Sequence, residues 1–115
     1  MNDQQIFNKV ARHLLKQNKR SAYNGTCQYH TDKGLRCAIG CLIPKRLYID
    51  SMESYTIEDL LQEYPEALTG VSNKNLPLLI KLQNVHDFNQ PAEWRDHLRL
   101  AADSLGLSTH RVKGL

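Results

Sequence analysis

Four prolines, at positions 44, 65, 77 and 91, divide the chain and limit how far any helix can run. A proline lacks the backbone donor and clashes with the preceding turn, so each one either ends a helix or stands in its first turn. Residues 2 to 17 predict an amphipathic helix. Asn2 caps it, Gln5 completes a capping box, and Ile6, Phe7, Val10, Ala11 and Leu14 share one face. Residues 55 to 63 predict a second, with Thr56 as cap, Asp59 three residues on, and Tyr55 and Leu60 placed for a hydrophobic staple. Pro65 and Gly70 then break the chain. A further helix starts near Asn75, tolerates Pro77 in its first turn and carries Leu78, Leu79, Leu82 and Val85 as its stripe. Pro91 suits the first position of the last helix, whose apolar side is Trp94, Leu98, Ala101, Ala102 and Leu105, with Gly106 at its C-terminal cap. The short link between these two predicts an antiparallel pair.

Between the first two helices the signals change. Asn24-Gly25 and Asp32-Lys33-Gly34 are turn sequences, and residues 26 to 30 are rich in β-formers. Together they predict a small hairpin within residues 22 to 37, its second arm beginning near Leu35. The apolar run from 37 to 43 is too short for periodicity to decide. It reads as a short buried helix after Gly34, with Ala38, Cys41 and Leu42 on one face and Pro44 ending it. The expected fold is a mainly α (α+β) single domain of about four to five helices with one small hairpin. Residues 1 to 107 form the globular unit, and 108 to 115 are a loosely held tail. At 115 residues, 41% hydrophobic and 23% charged, the chain suffices for one core.

Charge is unevenly spread. Residues 1 to 50 hold nine Lys/Arg against three Asp/Glu, whereas residues 51 to 115 hold six against nine. This predicts a basic and an acidic face, the basic one suited to an acidic partner protein or to nucleic acid. No run of consecutive basic residues forms a nucleic-acid arm. The exposed positions expected to meet a partner are Lys9, Arg12, Lys16, Lys19 and Arg20, with Tyr23 or Tyr48 as aromatic anchors. No segment is long and apolar enough to span a membrane, and the N-terminus lacks an apolar signal core. The expectation is a soluble cytoplasmic protein with reduced thiols.

The three cysteines, Cys27, Cys37 and Cys41, admit three readings. As a metal site, Cys27, His30, Cys37 and Cys41 would supply four zinc-compatible donors within fifteen residues. As an enzyme, Cys37 in the first turn of a helix beside Arg36 would be the nucleophile, with His86 as its base. Asp87 would be a poor orienting partner for His86, because adjacent helical residues do not face each other. As packing, the cysteines sit among Ala38, Ile39, Leu42 and Ile43 and behave as small hydrophobes. Gly40 would then admit a close neighbour, another backbone or a bulky side chain, Trp94 being one candidate. No nucleotide fingerprint or phosphate loop points to other chemistry.

Cys27-x-Tyr29, then GLRCAIGCLIP at 34 to 44, Tyr48, Met52-Glu53, LIKLQNVHD and WRDHL follow one another in a distinctive order. In this the chain resembles a group of small proteins encoded by bacteriophages and prophages, across most of residues 3 to 105. The resemblance implies a phage accessory protein acting in a bacterial cytoplasm, of a kind that works by binding a host protein, in some cases one of a defence system. It carries no catalytic residues across. In similar chains Cys37 with its following Ala38 is expected to persist more reliably than Cys41, which weakens the four-ligand zinc reading.

Overall fold

In a computed structural model describing residues 1–115, the first helix, α1 (Asp3–Gln17), begins where its capping box places it. Asn2 Oδ1 accepts from the Gln5 N–H, and Gln5 Oε1 accepts from the Asn2 N–H, both at 2.9 Å. Two of the donors left over at any helix start are thereby satisfied. At the other end Asn18 takes a left-handed conformation (φ 50°) and returns its N–H to Leu14 O. Ile6, Phe7, Val10, Ala11 and Leu14 are buried along one side.

The remaining helices are α2 (Ile57–Glu63), α3 (Leu76–Phe88) and α4 (Trp94–Ser104). Thr56 Oγ1 caps α2 by accepting from Asp59 N. Pro77 lies in the first turn of α3, and Pro91 opens a 3-10 turn (Pro91–Glu93) that leads into α4. Helices α1, α3 and α4 pack on one another, and their apolar stripes meet in one core with Leu60, Leu68 and Trp94. Strands β1 (Ala22–Tyr23) and β2 (Thr26–Cys27) pair antiparallel, Ala22 opposite Cys27 and Tyr23 opposite Thr26. The result is a mainly α domain with one two-stranded hairpin. None of its helices is long and apolar enough to cross a membrane.

Three local expectations are revised. The hairpin turns only at Asn24-Gly25, and the later turn is closed by a single bridge between His30 and Arg36. Two tight reversals replace one longer one because each turn sequence closes on its own. The run from 37 to 43 forms one 3-10 turn (Gly40–Leu42), not a helix reaching back to Gly34. Here Cys37 N–H is spent on Tyr29 O, and Gly40 N–H bonds to the Cys37 sulfur. The Cys37 N–H pairs with a neighbouring segment rather than with a carbonyl four residues back, so no helical ladder continues back through it. The C-terminal segment is tied down: Val112 is 2% exposed in the core, and Gln4 exchanges hydrogen bonds with the Ser108 backbone in both directions.

Gly40 is the most closely approached of the glycines. A Cβ placed there would stand 1.8 Å from Tyr29 O. The close neighbour is therefore the backbone of Tyr29. Trp94 stacks instead on His86, with ring centroids 5.4 Å apart.

Candidate functional site

The segment from 18 to 54 has little regular structure, and side chains hold it to the helices. Gln17 both accepts from Arg36 N (3.0 Å) and donates to Arg36 O (2.9 Å). His13 Nε2 also meets Arg36 O at 2.8 Å. On α3, Gln83 accepts from Ile39 N (3.0 Å) and donates to Asp87 Oδ1 (2.8 Å). The same carboxylate oxygen lies 2.7 Å from His86 Nδ1. His86 Nε2 in turn accepts from Ser21 N–H at 2.9 Å. A continuous chain of hydrogen bonds thus runs from Ile39 through Gln83, Asp87 and His86 to Ser21.

This chain corrects one expectation. Asp87 does orient His86, although the two are adjacent on α3. The carboxylate is drawn across by Gln83, one helical turn back and on its own face, and the imidazole leans to meet it. Burial alone would push Asp87 up, but the bonds from His86 and Gln83 outweigh it and hold its carboxyl below the ordinary range.

The chain also fixes the tautomer. A backbone N–H needs a lone pair, so Nε2 is unprotonated and Nδ1 carries the hydrogen that bonds Asp87. Both ring nitrogens of a fully buried histidine are then engaged. No hydrogen bond joins His86 to Cys37, whose sulfur instead accepts from Gly40 N at 3.3 Å. Cys37 is 1% exposed, and burial pushes its thiol far up. The pairing of Cys37 with His86 as nucleophile and base does not form.

The cysteine that clusters with His86 and Asp87 is Cys27. One donor atom each from Cys27, His86 and Asp87 falls within a 4.8 Å cluster. Burial and the Asp87 charge push the Cys27 thiol up, outweighing Arg20, whose guanidinium lies 3.4 Å from the sulfur. A metal on His86 Nδ1 would move the proton to Nε2, where Ser21 N–H already points. The trio has metal-binding residue types in a hydrogen-bonded arrangement that opposes a metal. The four-donor set read from the spacing is not brought together. Cys41 Sγ donates to Ala38 O (3.1 Å) and its thiol is pushed up to about 12 by burial, while His30 Nε2 meets Gly40 O (2.8 Å) and its ring stacks on Tyr48 at 4.3 Å.

Beside the chain lies a cavity of about 120 Å³, lined by Cys27, Gln28, Tyr29, Cys37, Glu53, Gln83 and Asp87. Glu53 clamps its outer wall: one oxygen accepts from Tyr29 N, the other from His30 N and the Tyr48 hydroxyl. Every separate sequence stretch from Cys27-x-Tyr29 to LIKLQNVHD therefore meets at one small polar recess. Sequence reasoning missed Ser21, Glu53 and Gln83. The signal available for Gln83 was its four-residue spacing to Asp87.

The basic positions fare differently from one another. Lys9, Arg12, Lys16, Lys19 and Tyr23 are exposed, Tyr23 at 64%. Arg20 is not a surface contact: it turns inward to Asp87 O (2.8 Å) and Cys27. Arg12 and Lys16 line a groove of about 830 Å³ together with Arg95 of α4 and Arg111 and Lys113 of the C-terminal segment. The only acidic residue lining it, Asp96, pairs with Arg99 at 3.3 Å. None of the five groove cations forms an ion pair within the fold. No family description, curated protein or solved structure matches this chain.

Proposed function

We propose that this protein is a phage-type accessory protein that acts by binding a host protein, and that the basic groove is its contact surface. The observation that carries the reading is the groove itself. Five cations from three separated parts of the chain converge there, and none of them forms an ion pair within the fold. Like charges brought together at a surface repel, and a partner of opposite sign offsets that cost while steering encounter. The closed state of His86 and the raised thiols supply no base and nucleophile to argue for chemistry instead.

The test is capture from bacterial host lysate at moderate salt, with the double variant Arg95→Glu/Lys113→Glu beside it. The expected result is a stoichiometric protein partner that the double variant loses and Lys45→Glu/Arg46→Glu keeps. Recovery of no stoichiometric partner, or equal loss in both variants, counts against the reading.

The trio Cys27, His86 and Asp87 favours a second reading, a thiol-dependent enzyme with Cys27 in the role first given to Cys37. It requires an activated thiol. Alkylation of native Cys27 faster than in the unfolded chain would support it, and slower alkylation, which the burial of Cys27 predicts, removes it.

A further inference from the structure

The geometry points to an acidic polypeptide segment bearing an apolar side chain as the occupant of the basic groove; we infer this on the binding reading above. Three observations carry it. First, the cations include three guanidiniums, and one of them is held in place: Arg12 donates to Arg111 O at 2.6 Å. A held planar fork matches a carboxylate with little ordering cost.

Second, the groove lining has an apolar part: Leu15 of α1, with Pro91 and Ala92 at the start of the last helical segment. A sugar-phosphate backbone is polar throughout, whereas a leucine or valine within an acidic peptide fills such an aliphatic seat. Third, no aromatic side chain lines the groove. Single-stranded nucleic acid is held in most such grooves by bases stacked on aromatic rings. The lining offers charge and an aliphatic seat, which together describe a carboxylate-rich peptide.

The experiment is fluorescence anisotropy with three labelled probes of equal charge. These are a glutamate-rich peptide containing one leucine, the same peptide with serine for leucine, and a single-stranded oligonucleotide. The expected result is that the leucine peptide binds at least about tenfold tighter than either of the others. It should weaken at least about tenfold in Arg95→Glu/Lys113→Glu and weaken again as salt rises, while Lys45→Glu/Arg46→Glu binds as the parent does. Melting temperatures equal to the parent's confirm that these surface variants fold.

An oligonucleotide that binds as tightly as the leucine peptide overturns the inference and makes the groove a phosphate track. Equal binding of the leucine and serine peptides overturns the apolar seat. Should no probe bind while lysate capture still depends on Arg95 and Lys113, the inference fails and the binding reading stands. Loss of that dependence defeats both.

Discussion

Adding one methyl group at Gly40 tests the packing that shapes the whole recess. The Gly40→Ala Cβ would stand 1.8 Å from Tyr29 O, and real Cβ contacts essentially never fall below 3.0 Å, so something must retreat by about 1.2 Å. Neither side gives cheaply. Tyr29 O accepts from Cys37 N, and Tyr29 and His30 donate their backbone N–H groups to Glu53. Overpacking of this kind costs roughly 1–3 kcal/mol, and each hydrogen bond lost or stretched adds about 1 kcal/mol. The expected total is about 4 kcal/mol, a large part of the roughly 5–15 kcal/mol that holds a domain together.

With a urea m-value near 2 kcal/mol/M, the midpoint followed by far-ultraviolet circular dichroism should fall by about 2 M. A chain already unfolded in buffer is the extreme of the same outcome. The comparison is Gly34→Ala, where nothing lies within 4 Å of the added Cβ and only the positive φ of 83° opposes it. That substitution should cost about 1 kcal/mol. If Gly40→Ala costs no more than Gly34→Ala, the close approach of Tyr29 is not the constraint argued above.

Other outcomes follow from the same geometry. His86→Ala removes a buried ring that stacks on Trp94 and bonds both Ser21 and Asp87, so it should cost about 3–5 kcal/mol, against about 1 kcal/mol for Cys27→Ala, read by the same urea titration. Val112→Ala should cost about 2 kcal/mol in melting experiments, and no loss would mean that the C-terminal segment is loose in solution. Acid should weaken the fold through His13 and His30, whose pKa values burial lowers from 6.5. The unfolded chain binds protons first, so stability is full above about pH 6.5, declines as the pH falls from there toward the depressed native values, and levels off below them. Asp87, held below its ordinary range, extends the decline at lower pH. A urea midpoint unchanged between pH 7 and 5 would contradict this. Zinc in tenfold excess should leave the melting temperature within about 1 °C, because His86 Nε2 is committed to Ser21; a rise of several degrees would reveal a metal site.

The helices were legible because their signals are local. Asn2 with Gln5, Thr56 with Asp59, and Pro91 ahead of Trp94 each lie within one turn of the element they begin. The recess was not legible because its bonds join residues far apart, such as Ser21 to His86 and Ile39 to Gln83. Several of its donors are backbone N–H groups, which every residue type but proline supplies and no sequence pattern marks. Arg20 was misplaced for the same reason: composition shows its charge but not that Asp87 O and Cys27 receive it. The groove was half visible. Arg12 and Lys16 stood out in the basic half, while Arg95, Arg111 and Lys113 were hidden in a half whose net charge is negative. A split by sequence position averages away cations that folding then gathers.

The side-chain ties between residues 18 to 54 and the helices carry a kinetic consequence. Two strands of two residues each and a few 3-10 turns cannot persist alone, because short local structure is marginal until something packs on it. That segment must wait for α1 and α3, whose Gln17, Gln83 and His86 receive its backbone N–H groups at Arg36, Ile39 and Ser21. It should dock after the transition state, with φ-values near zero around Ser21 and Ile39 and higher ones in the cores of α1 and α3. It should also be the first cooperative unit to open, exchanging its amide hydrogens well before the helices do.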